Sequence, residues 1–215
     1  MGAIPRRFAA LAGAVTLLAG LVVGATAGTA SAAGGWTCSG APVPAGYVIT
    51  AVDRDGCNGA GAWLQVPVRD GIWTCAGSPI VKGYVITGHQ PNGCDGLGSW
   101  YHRVAHDGWT CAGSPVVSGY VITGYQPTGC AGIGSWFHRV ASDGIWTCAG
   151  SPVVSGYVST SYNRQGCNGI GAWYHRVAKA GMWICGVSPI PPGYRVTSYS
   201  PGGCDGVGAS QLARA

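Results

Sequence analysis

Residues 73–108 read WTCAGSPIVKGYVITGHQPNGCDGLGSWYHRVAHDG, and the same phrase recurs along most of the chain. Trp-x-Cys stands at Trp36/Cys38, Trp73/Cys75, Trp109/Cys111, Trp146/Cys148 and Trp183/Cys185. Gly-Tyr follows at Tyr47, Tyr84, Tyr120, Tyr157 and Tyr194. A second cysteine then opens a C-x-G-x-G motif at Cys57, Cys94, Cys130, Cys167 and Cys204. The steps between successive Trp-x-Cys tryptophans are 37, 36, 37 and 37 residues. Self-similarity at a fixed period marks a tandem array. The copies span 33–72, 73–108, 109–145, 146–182 and a shortened 183–215.

Cysteine spacing narrows the bridging pattern. The interval from first to second cysteine is 19 in every copy, whereas the interval to the next copy is 18, 17, 18 and 18. A covalent tie tolerates length change poorly inside its own loop, so the constant interval predicts pairing within copies. Pairing across neighbours would leave Cys38 and Cys204 without partners unless the array closed on itself. A zinc array fits less well, because the close cysteine doublet of zinc modules is absent. A unit of about 37 residues is too small to hold a core alone, so a bridge in each copy has a physical purpose.

The local pattern is β. Tyr84-Val85-Ile86-Thr87 and its counterparts are short β-branched and aromatic runs bounded by Gly and Pro. Trp100 to Val104 makes a second strand, and the Trp-x-Cys segment a third. Asp70-Gly71, Asp107-Gly108 and Asp143-Gly144 carry a hairpin signal between one copy and the next. The one-residue deletion before Trp109 falls beside this turn, where it leaves the pleat undisturbed. The expected fold is all-β: an open array of five small disulfide-bonded three-stranded units, with a five-bladed propeller-like ring as the alternative.

The first 32 residues read as a secretory signal peptide. Arg6 and Arg7 precede 16 uncharged residues (8–23), and Ala30-Ser31-Ala32 supplies an A-x-A cleavage site. Twin-arginine export is disfavoured because Phe8 follows the Arg pair directly. Export and ten cysteines together point to an oxidising, extracellular setting, and the Gly/Ala-rich, Glu-free composition has a bacterial look. Without residues 1–32 the chain has ten Lys plus Arg against seven Asp, a net charge of +3. It then has no second long apolar run and no polybasic block, which argues against a membrane span and against nucleic-acid binding by charge.

Strand alternation sorts the candidate site residues. Tyr101 and Arg103 point one way, and Trp100, His102 and Val104 the other; Phe137/Arg139 and Tyr174/Arg176 repeat the arrangement. An aromatic ring two residues from an arginine, offered three times, is a candidate binding platform, since aromatic faces stack on flat groups and Arg supplies a fork of donors. The indole of each Trp-x-Cys is expected to pack on its own disulfide, and the Gly-Tyr tyrosine to sit in the core or donate a capping hydrogen bond. His102, His138 and His175 are expected to be buried with local hydrogen bonds rather than metal-bound. Asp53-x-Asp55-Gly56 resembles the start of a calcium loop, but no Glu closes it. No metal or other cofactor is expected.

Catalysis has little support, since the chemistry is spread over near-identical copies and no nucleophile elbow occurs. The favoured role is a secreted multivalent binding module for cell-wall or other polysaccharide or a cell-surface ligand. A structural cell-surface or matrix protein is the alternative. An inhibitor of an extracellular hydrolase, presenting loops such as Ser78-Pro79-Ile80-Val81 and Ser114-Pro115-Val116-Val117, comes third.

Overall fold

A computed structural model describes residues 34–215, so the expected signal peptide lies outside the described residues. Fifteen strands form five separate three-stranded antiparallel sheets, one per copy. The first sheet holds β1 (Gly35–Cys38), β2 (Tyr47–Asp53) and β3 (Ala62–Pro67). The second holds β4 (Ile72–Cys75), β5 (Tyr84–Gln90) and β6 (Ser99–Val104), and the third β7 (Gly108–Cys111), β8 (Tyr120–Gln126) and β9 (Ser135–Val140). The fourth holds β10 (Ile145–Cys148), β11 (Tyr157–Asn163) and β12 (Ala172–Val177). The fifth, shortened in sequence, still completes β13 (Trp183–Cys185), β14 (Tyr194–Ser200) and β15 (Ala209–Arg214). In every copy the third strand lies between the other two.

All ten cysteines are bridged within copies: 38–57, 75–94, 111–130, 148–167 and 185–204. Each bridge runs from the end of the first strand to a turn ahead of the third. In that turn the backbone is left-handed at non-glycine residues, for example Cys94 (φ 49°) with Asp95 (φ 56°) and Cys167 (φ 52°) with Asn168 (φ 58°). Left-handed geometry costs an ordinary residue about 1–2 kcal/mol. Asn or Asp, which tolerate it best, follow four of the five cysteines. The third strand therefore starts beside the end of the first, as the Cys75↔Ser99 register records.

The Asp-Gly hairpins expected between copies do not form. Strand β6 is paired on both edges by β4 and β5 of its own copy, which leaves no edge for β7. Copies meet instead through side chains, with the second strand of one packed near the first strand of the next. At each junction the serine of the following Ser-Pro loop caps a backbone amide that the sheet leaves free: Ile49 N–H donates to Ser78 Oγ at 2.9 Å, Ile86 to Ser114 at 2.9 Å, Ile122 to Ser151 at 2.8 Å and Ser159 to Ser188 at 2.9 Å. The tyrosine hydroxyls of Tyr120, Tyr157 and Tyr194 donate back to the carbonyls of Ala105, Ala141 and Ala178. These are the capping bonds expected of the Gly-Tyr tyrosines. Apolar packing adds to them, as where Val158 and Ala178 of the fourth copy meet Ile184 and Leu212 of the fifth.

The row is open. Closure into a ring would bring β1 against β14, yet both are exposed along most of their length. Among the described residues no helix is long and apolar enough to cross a membrane.

Each second strand also carries a β-bulge at a threonine, namely Thr50, Thr87, Thr123, Thr160 and Thr197, where the register skips one residue. Four of these hydroxyls donate to a carbonyl of the central strand at 3.3–3.5 Å. Replacing Cys111 and Cys130 together by Ser is expected to lower stability by about 3 kcal/mol. The urea midpoint reads this, and an unchanged midpoint would show the bridge to be dispensable.

Candidate functional site

The central strand sorts its side chains as its alternation requires. In the second copy Tyr101 shares a face with Trp73 and Arg103, while His102 shares the other with Ile72 and Ile86. On the first face the indole of Trp73 does not sit buried on its disulfide. It lies against the Tyr101 ring at 5.0 Å and remains 39% exposed. Trp109 meets Phe137 at 5.3 Å, and Trp146 meets Tyr174 at 5.0 Å. Trp36 and Trp183 are likewise exposed, so every copy presents one indole. The bulge explains the placement. It sets Gly88 and Gly124 opposite Tyr101 and Phe137, where a Cβ would approach the indole to 3.4 and 3.3 Å.

Beside each ring pair stands an arginine held by an aspartate that sequence reading took for a turn residue. Arg103 Nε and Nη2 donate to Asp70 at 3.2 and 3.4 Å, and Arg176 makes the same pair of bonds to Asp143 at 2.9 and 3.3 Å. Arg139 lies 3.7 Å from Asp107 and 5.6 Å from the centre of the Phe137 ring. The carboxylates are pinned from the backbone as well, by the amides of Val104, Val140 and Val177 at 2.8–2.9 Å. The Asp70 carboxyl titrates below its ordinary value, chiefly through the Val104 amide and then Arg103. Asp143 is lowered chiefly through Arg176 and then the Val177 amide.

Three copies thus hold a complete Trp–Tyr/Phe–Arg–Asp platform: the second, third and fourth. The structure brings each predicted Tyr/Phe–Arg pair together and adds Trp73, Trp109, Trp146, Asp70, Asp107 and Asp143. One signal could have found the aspartates. The first and last sheets have Val66 and Ala213 in place of the arginine, and the stretches ahead of their first strands, before Trp36 and Trp183, contain no aspartate where Asp70, Asp107 and Asp143 stand ahead of the others.

Grooves run between neighbouring copies beside the platforms. One, of about 510 Å³, has Trp109, Phe137 and Arg139 on one side and Ile145 and Trp146 of the next copy on the other. The corresponding groove between the first and second copies, about 670 Å³, is lined by Thr50, Val66, Arg69 and Trp73.

The opposite face is built for packing. His102, His138 and His175 are buried, and each Nε2 lies 3.1–3.2 Å from the hydroxyl of Thr74, Thr110 or Thr147. Those hydroxyls donate to the carbonyls of Trp100, Trp136 and Trp173, so Nε2 carries the imidazole proton and Nδ1 is a bare lone pair. No hydrogen-bond partner reaches Nδ1. Burial accordingly pushes all three imidazoles below their usual value, His175 to about 4. The Asp53 carboxylate accepts the Asp55 amide at 3.0 Å, a local turn that gives the calcium-like motif a structural use. The serines of the Ser-Pro loops are engaged at the junctions described above. Compared with known proteins, the chain matches no family model, no curated protein and no solved structure.

The depressed imidazoles fix a pH dependence. Their neutral form is the folded one, so the stability they contribute is fully present above about pH 6.5 and is lost as pH falls toward 4. Asp70 and Asp143, whose folded values lie below the ordinary carboxylate value, stay ionised through that window. The fifth copy replaces the Thr–His pair with Ile184 and Leu212. Copying that exchange, Thr→Ile with His→Leu at 74/102, 110/138 and 147/175, is expected to flatten the fall in melting temperature between pH 7 and pH 4. An equal fall in both proteins would place the pH sensitivity elsewhere.

Proposed function

We propose that this protein is an exported, non-catalytic, multivalent binding module that holds polysaccharide on its exposed aromatic platforms. The observation that carries this reading is the half-exposed indole of Trp73, Trp109 and Trp146, each laid against a second ring and flanked by an arginine. A large aromatic side chain left in water costs the fold stability it could have gained by burial. Leaving one out in every copy makes sense where something else covers it. Aromatic faces take up the C–H faces of sugars, and the arginine donors and aspartate oxygens beside them suit hydroxyl groups.

Export is supported by the N-terminal sequence pattern and by five bridges, which persist in oxidising compartments. Repetition supports polysaccharide over a small sugar, because linked sites on one long ligand gain avidity without any new contact. A structural role in a surface coat draws on the same bridges but leaves the ring–arginine–aspartate sets without a use.

Retention on insoluble glycans by the whole protein tests the reading. Trp109→Ala or Phe137→Ala is expected to weaken retention about tenfold, with circular dichroism and melting temperature close to those of the parent. Undiminished retention after Trp73, Trp109 and Trp146 all become Ala would remove the platforms from the account.

A further inference from the structure

We infer that the ligand is an uncharged, β-linked polysaccharide lying lengthwise across successive copies, an inference that rests on the binding role proposed above. The first ground is electrostatic. Each platform arginine already has a carboxylate partner, with two bonds in the second and fourth copies and one close approach at 3.7 Å in the third. Backbone amides of Val104, Val140 and Val177 hold those carboxylates in place. Each arginine–aspartate pair is therefore neutral as a unit, and of the groove residues named above Arg69 alone brings a charge outside such a pair. A uronate or sulfate group would have to displace a fixed carboxylate or sit against it, and like charges at an interface cost binding. A neutral hydroxyl meets no such obstacle: it can donate to the carboxylate or accept from the guanidinium.

The second ground is shape. A β-linked pyranose with equatorial substituents is flat and offers C–H groups on both faces, which matches an indole open on one side. A helically coiled α-linked chain turns successive rings away from one another, whereas an extended β-linked chain can carry them from the indole of one copy to that of the next. The third ground is continuity. The groove of about 510 Å³ runs from Trp109 and Phe137 of the third copy to Trp146 of the fourth, and that of about 670 Å³ leads from the first copy to Trp73, so the site extends beyond a single copy. The hydroxyl of Tyr101 and Tyr174 is absent at Phe137, so the ring face and the ion pair, rather than that hydroxyl, are the common elements.

Native electrophoresis of the full chain tests this in gels containing hydroxyethyl cellulose or glycol chitin (neutral, β-linked), soluble starch (neutral, α-linked) or alginate (acidic). Retardation by a neutral β-linked polymer is expected. It should be unchanged between about 50 and 500 mM NaCl and about tenfold weaker for a tetrasaccharide measured by titration. Asp107→Asn, which releases the least tightly held guanidinium, is expected to gain retardation by alginate that disappears at high salt. The triple exchange at Asp70, Asp107 and Asp143 should gain more. Alginate or starch retarding the parent protein as strongly as the neutral β-linked polymers would overturn the ligand class while leaving the binding role standing. A folded Asp107→Asn protein that gains nothing on alginate would overturn the electrostatic ground. Retardation by no polymer at all would sink the binding role together with the inference.

Discussion

The bridge in each copy joins the last residue of the first strand to a left-handed turn just ahead of the third, and the rest of the copy follows from that tie. Once Cys94 is fixed to Cys75, the chain leaving the turn has to run back along β4, which makes the third strand the partner of the first. The second strand is left with the far edge, and the order first–third–second results. The turn itself is unfavourable, with two successive residues in left-handed geometry. A disulfide worth about 3 kcal/mol for a loop of this size is of the right order to offset it. A unit of this length has little other means of holding so strained a corner, since its buried residues are few and are largely shared with its neighbours.

A central strand used on both edges has a second consequence: it cannot pair with the following copy, and the edge strands that face one another across a junction are not joined into one sheet. Each junction has one serine hydroxyl and three have a tyrosine hydroxyl, with Arg54–Asp95, Arg164–Asp205, the Asn168 amide on the Tyr125 carbonyl and aliphatic contacts beside them. The serine oxygens accept from the edge amide next to the bulge, which would otherwise be an unsatisfied donor, while the tyrosine hydroxyls donate to alanine carbonyls. The same pleat that buries the imidazoles turns the Tyr/Phe and Arg side chains outward, so packing and platform are two faces of one strand. The buried pair changes at one member in the first copy and as a unit in the fifth. Thr with His in three copies becomes Thr37 with Gln65 in the first and Ile184 with Leu212 in the fifth. The apolar version loses two polar groups together, which avoids leaving one of them stranded.

Much of this was legible before any coordinates. The 19-residue interval identified the bridges, and period-two alternation sorted His102 from Tyr101 and Arg103. What escaped was whatever depends on strand order. Asp-Gly is a sound hairpin signal, but here it precedes a strand whose partner residues are 24 or more positions away, and its carboxylate serves an arginine 33 residues on. The threonine bulge also gave no warning, because Thr is as much at home in a regular strand as in an irregular one. Without the bulge, nothing in the pattern sets a glycine under the indole, and the natural place for Trp73 is then its own disulfide.

Variation among the copies separates what the platform requires from what it merely contains. Gly71 and Gly144 have positive φ, and a Cβ at either would lie 2.8 Å from the hydroxyl oxygen of Tyr101 or Tyr174. In the third copy that hydroxyl is gone, Phe137 takes the place of Tyr, and the turn is one residue shorter, with Gly108 moved into the register of Ile72. The shorter turn and the missing hydroxyl fit one another, since the glycine that had to make room for the oxygen is no longer needed. Through this change the Val140 amide still holds Asp107, Asp107 still faces Arg139, and Trp109 still meets an aromatic ring. Closely similar hydrogen bonds at successive junctions repeat one copy-to-copy relation, and on the binding role proposed above a long ligand would meet several platforms without first ordering the protein. On that proposal rigidity of the junction is part of the affinity, because little conformational freedom would be lost when the second and third sites are filled.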